Sequence, residues 1–210
     1  MPTLRPFRDY DEKDVINLYA YSGNIPINKG TLVKIAGDGF RNDVEQTEML
    51  GNMGDFSVNN WVGQRYGALP KVVVAQPTDA PLGMLLFDVK ELDENGLPLK
   101  YNPRKAAEME AAISGQAVPI VTRGVFLYSG VVVSGGVAVQ AGKPCYVGWN
   151  GVIATSGTPA TSGGVANLLT VPGSTPIGKF LGATGAPAAS GNAYGDNSAV
   201  ALIWLNLQNN

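Results

Sequence analysis

Three groupings of carboxylates, Asp9/Asp11/Glu12/Asp14, Asp43/Glu45/Glu48 and Asp88/Glu91/Asp93/Glu94, are where this chain could carry out acid–base or cation chemistry. Two carboxylates held at different protonation states can pass a proton, and several oxygens can hold a hard cation. None of the three follows the calcium-loop pattern. Asp93-Glu94-Asn95-Gly96 has the composition of an exposed turn, and solvated turns and faces account for all three groups. There is no histidine, which removes the Ser-His-Asp and Cys-His pairs, HExxH and the ordinary zinc sites. The single cysteine, Cys145, lies in an apolar run and reads as a small buried hydrophobe. "GDGFRN" (37–42) lacks the third glycine of a dinucleotide loop, and neither GxSxG nor GxxxxGK[ST] occurs. The expectation is a non-enzyme with no catalytic residue, metal site or cofactor.

Composition narrows the remaining classes. The 210 residues are 45% hydrophobic, enough for a real core, and the net charge of −2 provides no field to draw the chain onto DNA or an anionic membrane. The 8 tyrosines and 3 tryptophans have no basic tract among them, so a base-stacking platform is not expected. One cysteine allows no intrachain disulfide. No apolar run reaches the length of a membrane span, and "MPTLRPFRDYDEKD" has no signal-peptide core, so synthesis in the cytoplasm is expected.

Charge is segregated along the chain. Residues 1–123 hold 13 of the 15 basic and 16 of the 17 acidic residues, leaving Lys143, Lys179 and Asp196 for residues 124–210. A segment so poor in charge either wears a neutral polar skin, as "ATSGTPATSGG" (154–164) suggests, or buries itself against other chains, as "LIWLNL" (202–207) suggests. Trp149 and Trp204 stand in this segment as core or interface anchors, whereas Trp61 falls in the more irregular half.

Short apolar runs punctuated by glycine, proline and asparagine predict an all-β domain, an antiparallel barrel or sandwich over 26–90 and 118–208. The runs are "GTLVKIAG", "KVVVAQ", "GMLLFDVKEL", "VPIVTRGVFLYSG", "VVVSGGVAV", "PCYVGWNGVIAT", "IGKFLGAT" and "AVALIWLNLQ". Asn150-Gly151 between apolar residues predicts a tight hairpin. "NPRKAAEMEAAISG" (102–115) predicts the one helix, capped by Asn102, opened by Pro103 and stopped by Gly115, within an insertion at 92–117. Residues 38–54 read as irregular or a single helical turn. The organisation expected is an extended arm over 1–20 and one β domain over 21–210. Pro2 and Pro6 keep the arm extended, and Leu4 and Phe7 have no evident local core. The arm is either a frayed terminus or a segment that orders on a neighbouring subunit, with Leu4 and Phe7 as apolar anchors and Arg5 and Arg8 at the rim.

Residues 123–157, then "PIGKFLGAT" and "SAVALIWLN", resemble the capsid decoration (cement) proteins of tailed bacteriophages. The counterparts of that family's strands are Gly124–Phe126, Gly142–Trp149, Ile177–Gly182 and Ala199–Leu205, with "PINKGTLVKI" (26–35) and 71–89 as early strands. The resemblance covers about three quarters of the chain, and its motifs are glycine and apolar spacings rather than catalytic letters. It implies a structural virion protein on the outer surface of the head that clamps major capsid proteins, as a homotrimer, with no small-molecule substrate. The residues expected at protein interfaces are Leu4, Arg5, Phe7, Arg8, Trp149 and Trp204. The alternative is another virion β component, from tail, baseplate or fibre, that binds a host surface. A carbohydrate-binding module would need exposed aromatics on one sheet face.

Overall fold

A computed structural model describes residues 3–7, 11–36, 70–113, 115–132, 139–155, 176–183 and 200–207. Most of the expected strand 131–139 and of the loop 154–164, the irregular segment 38–54, Trp61 and Arg8 lie outside these residues. Among the described residues the protein is all-β with one short α-helix. Its front sheet has the order β1 (Thr3–Pro6), β10 (Arg123–Ser129), β14 (Val200–Asn206), β13 (Gly178–Ala183), β11 (Pro144–Val147), β12 (Ile153–Ala154), with every neighbouring pair antiparallel. Its back sheet has the order β2 (Val15–Ile16), β9 (Ile120–Val121), β6 (Gly83–Leu85), β4 (Leu32–Ile35), β5 (Lys71–Val74), β3 (Ala20–Tyr21), in which only β3–β5 is parallel.

Alternation along the strands decides what each face meets. Phe126, Tyr128, Cys145, Val147, Phe180, Ile203 and Leu205 of the front sheet point inward onto Leu32, Met84 and Val121 of the back sheet, forming one core between the two. The alternate residues of the back sheet, Val33, Val72, Leu85 and Ile120, enter a second core with Tyr21, Val89, Ala112 and Val118. The back sheet is therefore apolar on both faces, which explains continuous runs such as "KVVV".

Two features join the sheets. The chain runs from β9 of the back sheet directly into β10 of the front sheet through buried Thr122, whose N–H donates to Asp14 O at 2.8 Å and whose carbonyl accepts from Leu207 N at 2.9 Å. The β11–β12 hairpin forms the second junction. Asn150 (φ 57°) and Gly151 (φ 68°) both take positive φ, as the expected two-residue turn requires. Gly151 also abuts the back sheet, since a Cβ there would lie 2.5 Å from the Leu32 carbonyl.

Three expectations need correction. The described residues among the first twenty are not an arm apart from the domain. Thr3–Pro6 forms the edge strand on β10, Val15–Ile16 pairs with β9, and Ala20–Tyr21 pairs with β5. Prolines at 2 and 6 permit a four-residue edge strand, because an edge needs hydrogen bonds on one side only. The helix, α1, spans Pro103–Glu108 and ends well short of Gly115. Its cap is as expected, with Asn102 Oδ1 accepting from Lys105 N at 3.4 Å. It stops because Glu110 turns to φ 47° and Ala111–Ala112 (β8) pairs in parallel with Asp88–Val89 (β7). Finally, "GMLLFDVKEL" is two strands, β6 and β7, broken at Leu86–Phe87.

Candidate functional site

Asp88, Asp93 and Glu94, among the carboxylates that could have supported chemistry, are engaged structurally. Asp88 accepts from Lys29 N at 2.8 Å and Lys90 Nζ at 3.0 Å, while Asp93 Oδ1 accepts from Asn95 N and Leu97 N, both at 2.8 Å, closing the predicted turn. Glu94 pairs with Lys105 at 2.5 Å, and that hydrogen bond holds its carboxyl below the usual range. Asp9, Asp43, Glu45 and Glu48 lie outside the described residues. Among the described residues, no group of three or more His, Cys, Asp or Glu side chains could hold a metal ion.

Cys145 is fully buried, and desolvation pushes its thiol up to about 12. A thiol kept protonated and away from solvent is a poor nucleophile, which agrees with its reading as a core residue. Tyr128 is likewise fully buried, and desolvation raises its phenol well above the ordinary value. Its oxygen accepts the Ile153 N–H at 3.2 Å, so it satisfies a backbone donor of β12 inside the core.

The remaining candidate is a surface. Since Phe126, Tyr128, Ile203 and Leu205 face inward, the residues between them form the outer face of the front sheet. Across it, Val125 pairs with Trp204, Trp204 with Lys179 and Lys179 with Pro144; one step along, Arg5 pairs with Leu127 and Leu127 with Leu202. Val125, Leu127, Leu202 and Trp204 are half-buried, and Leu181 at the β13 bulge is exposed. A water-facing antiparallel sheet normally alternates apolar-in with polar-out. At its centre this one is apolar on both sides.

The structure sorts the expected interface residues. Arg5 and Trp204 lie on this face, and Phe7, 56% exposed, lies beside it with its N–H donating to Val125 O at 3.0 Å. Leu4 does not belong there. It is 2% exposed within the chain's own core, near Tyr128 and Gly30, which corrects its assignment as an anchor for a neighbour. A Cβ at Gly30 would sit 3.3 Å from Leu4 Cβ, so a close fit at β1 depends on that glycine. Trp149 is 54% exposed on the β11–β12 turn, away from the other candidates in the strand order. Sequence reasoning missed Val125, Leu127, Lys179 and Arg123. "RGVFLYS" and "VALIWLN" are apolar in both phases of the alternation, so the sequence carried no signal for which phase faces out.

No protein-family model matches the chain, and no curated protein matches it either. Among the described residues, no helix is long and apolar enough to cross a membrane.

Proposed function

We propose that this chain is a structural virion protein without catalytic activity, a decoration protein that binds the outer surface of a phage head and ties neighbouring major capsid proteins together. The observation that carries this reading is the outer face of the front sheet, where Val125, Leu127, Leu202 and Trp204 stand where a solvated sheet would show polar side chains. Contiguous apolar surface of this kind marks an interaction site. Its support is threefold: the resemblance of its strand motifs to those of capsid decoration proteins, the all-β fold, and the concentration of the charge-poor second half in the front sheet.

The mechanism asks little of any single copy. Apolar area removed from water contributes about 25 cal/mol per Å² before the costs of association. A shell repeats the same contact many times, so modest binding per copy adds to the work needed to break the shell. A rigid sheet is suited to this, because its side chains are held in place before binding and little ordering entropy is lost.

The test is addition of purified protein to heads that lack it. Saturable co-sedimentation and a rise in the temperature at which heads release DNA are expected. Protein that stays in the supernatant at all concentrations would overturn the reading.

A further inference from the structure

We propose that the outer face of the front sheet is the surface that meets the shell, and that its partner is a protein surface with an apolar centre ringed by carboxylates. The inference rests on the decoration reading and identifies the face and the chemistry of what it meets. The six strands of this sheet contain three charged residues, and all three are cations: Arg5, Arg123 and Lys179. Each is exposed and each occupies the outward phase, opposite Leu127, Asn206 and Trp204 respectively.

Their placement is that of a rim. Arg5 on β1 and Lys179 on β13 lie on opposite sides of the Leu127–Leu202 and Val125–Trp204 pairs. Three strand spacings across and two residues along the strands place them about 16 Å apart, and Arg123 lies about 7 Å along β10 from Val125. Apolar side chains at the centre with charge at the edge is the usual anatomy of a protein interface. Here the edge has one sign, so the partner edge must have the other.

Charge also excludes two other occupants. A second copy docked face to face would set these cations against the same cations, with no acidic residue in any strand of the sheet to relieve them. Nucleic acid would engage the three cations but leave Val125, Leu127 and Leu202 pressed against phosphates, in a chain whose net charge is −2. A carboxylate-rimmed protein surface satisfies both the centre and the edge.

The experiment compares wild type, R123E/K179E and R5E for binding to heads lacking the protein, in low and high salt. Free-protein mass and binding to a DNA duplex are measured alongside. Wild-type binding that falls with salt, and falls about tenfold or more in the double reversal, is expected. The far-UV spectrum and melting temperature should not move, because all three side chains are exposed. Wild-type binding that the reversals leave intact overturns this inference and spares the decoration reading; failure of wild type to bind at all removes both. A change in free-protein mass on reversal would make the face a self-contact, and tight duplex binding lost on reversal would make it a nucleic-acid surface. Either result overturns the proposal.

Discussion

Tyr128 and Cys145 are both proton-bearing groups enclosed by the core between the sheets, and both resist ionisation because burial removes water from the charged form. In the unfolded chain they titrate near 10.0 and 9.0. Their folded values lie higher, so at alkaline pH the native state holds protons that the unfolded state has released. Stability from these groups is complete below pH 9; the Cys145 contribution should fall from about pH 9 to about 12 and the Tyr128 contribution from about pH 10 upward, each by on the order of 1 kcal/mol per pH unit. Urea titrations at a series of pH values will show it, and Cys145→Ala should flatten the part of the slope that begins near 9. Tyr128 has a second duty. Tyr128→Phe keeps the ring but leaves the Ile153 N–H without the phenol oxygen 3.2 Å away, at an expected cost of about 1–3 kcal/mol in denaturant unfolding.

At the scale of elements, β1 is held to the domain by its ladder with β10 and by one side chain, Leu4. Leu4→Ala should cost about 2–5 kcal/mol of stability in the isolated subunit, measured by thermal or urea unfolding. An unchanged midpoint would mean that the strand does not stay docked. The same element shows what could be read from the sequence. The Asn150-Gly151 hairpin and the strands around "KVVV", "PCYV" and "LIWL" were legible, because turn chemistry and β-branched runs are local signals. Asn102 and Pro103 likewise announced the start of α1. The docking of Leu4 was not legible, since its partner Tyr128 is more than a hundred residues away and nothing local to "TLRP" marks a core position. Nor was the passage from one sheet to the other at Thr122, where the sequence shows a single apolar run. On the candidate surface, Arg5, Phe7 and Trp204 could be picked out as residue types, but their gathering on one face depends on the β1–β10–β14 order.

For the whole molecule, the charge-poor strands occupy one sheet, while the paired charges Lys29–Glu110, Lys34–Asp79, Lys90–Asp88 and Lys105–Glu94 gather around the back sheet and the insertion. Outside the proposed docking face, we expect the charge-poor residues 124–210 to supply contacts between copies. Light scattering of the purified chain should give a mass about three times 21.9 kDa. A monomer in solution and isolated copies on the head would contradict the trimer. The strand order has a consequence for how the molecule comes into being. β14 lies between β10 and β13, so the centre of the front sheet is the last described strand of the chain. At about 5–20 residues per second, the ribosome needs several seconds after making β10 to supply the partner that covers its open edge. During that interval "GVFLY" has only β1 beside it, and its other edge is open to every other nascent chain nearby. Completion of the sheet therefore waits on its last described strand, and yield in the cell should depend on chaperone capacity and growth temperature more steeply than the stability of the finished protein would suggest.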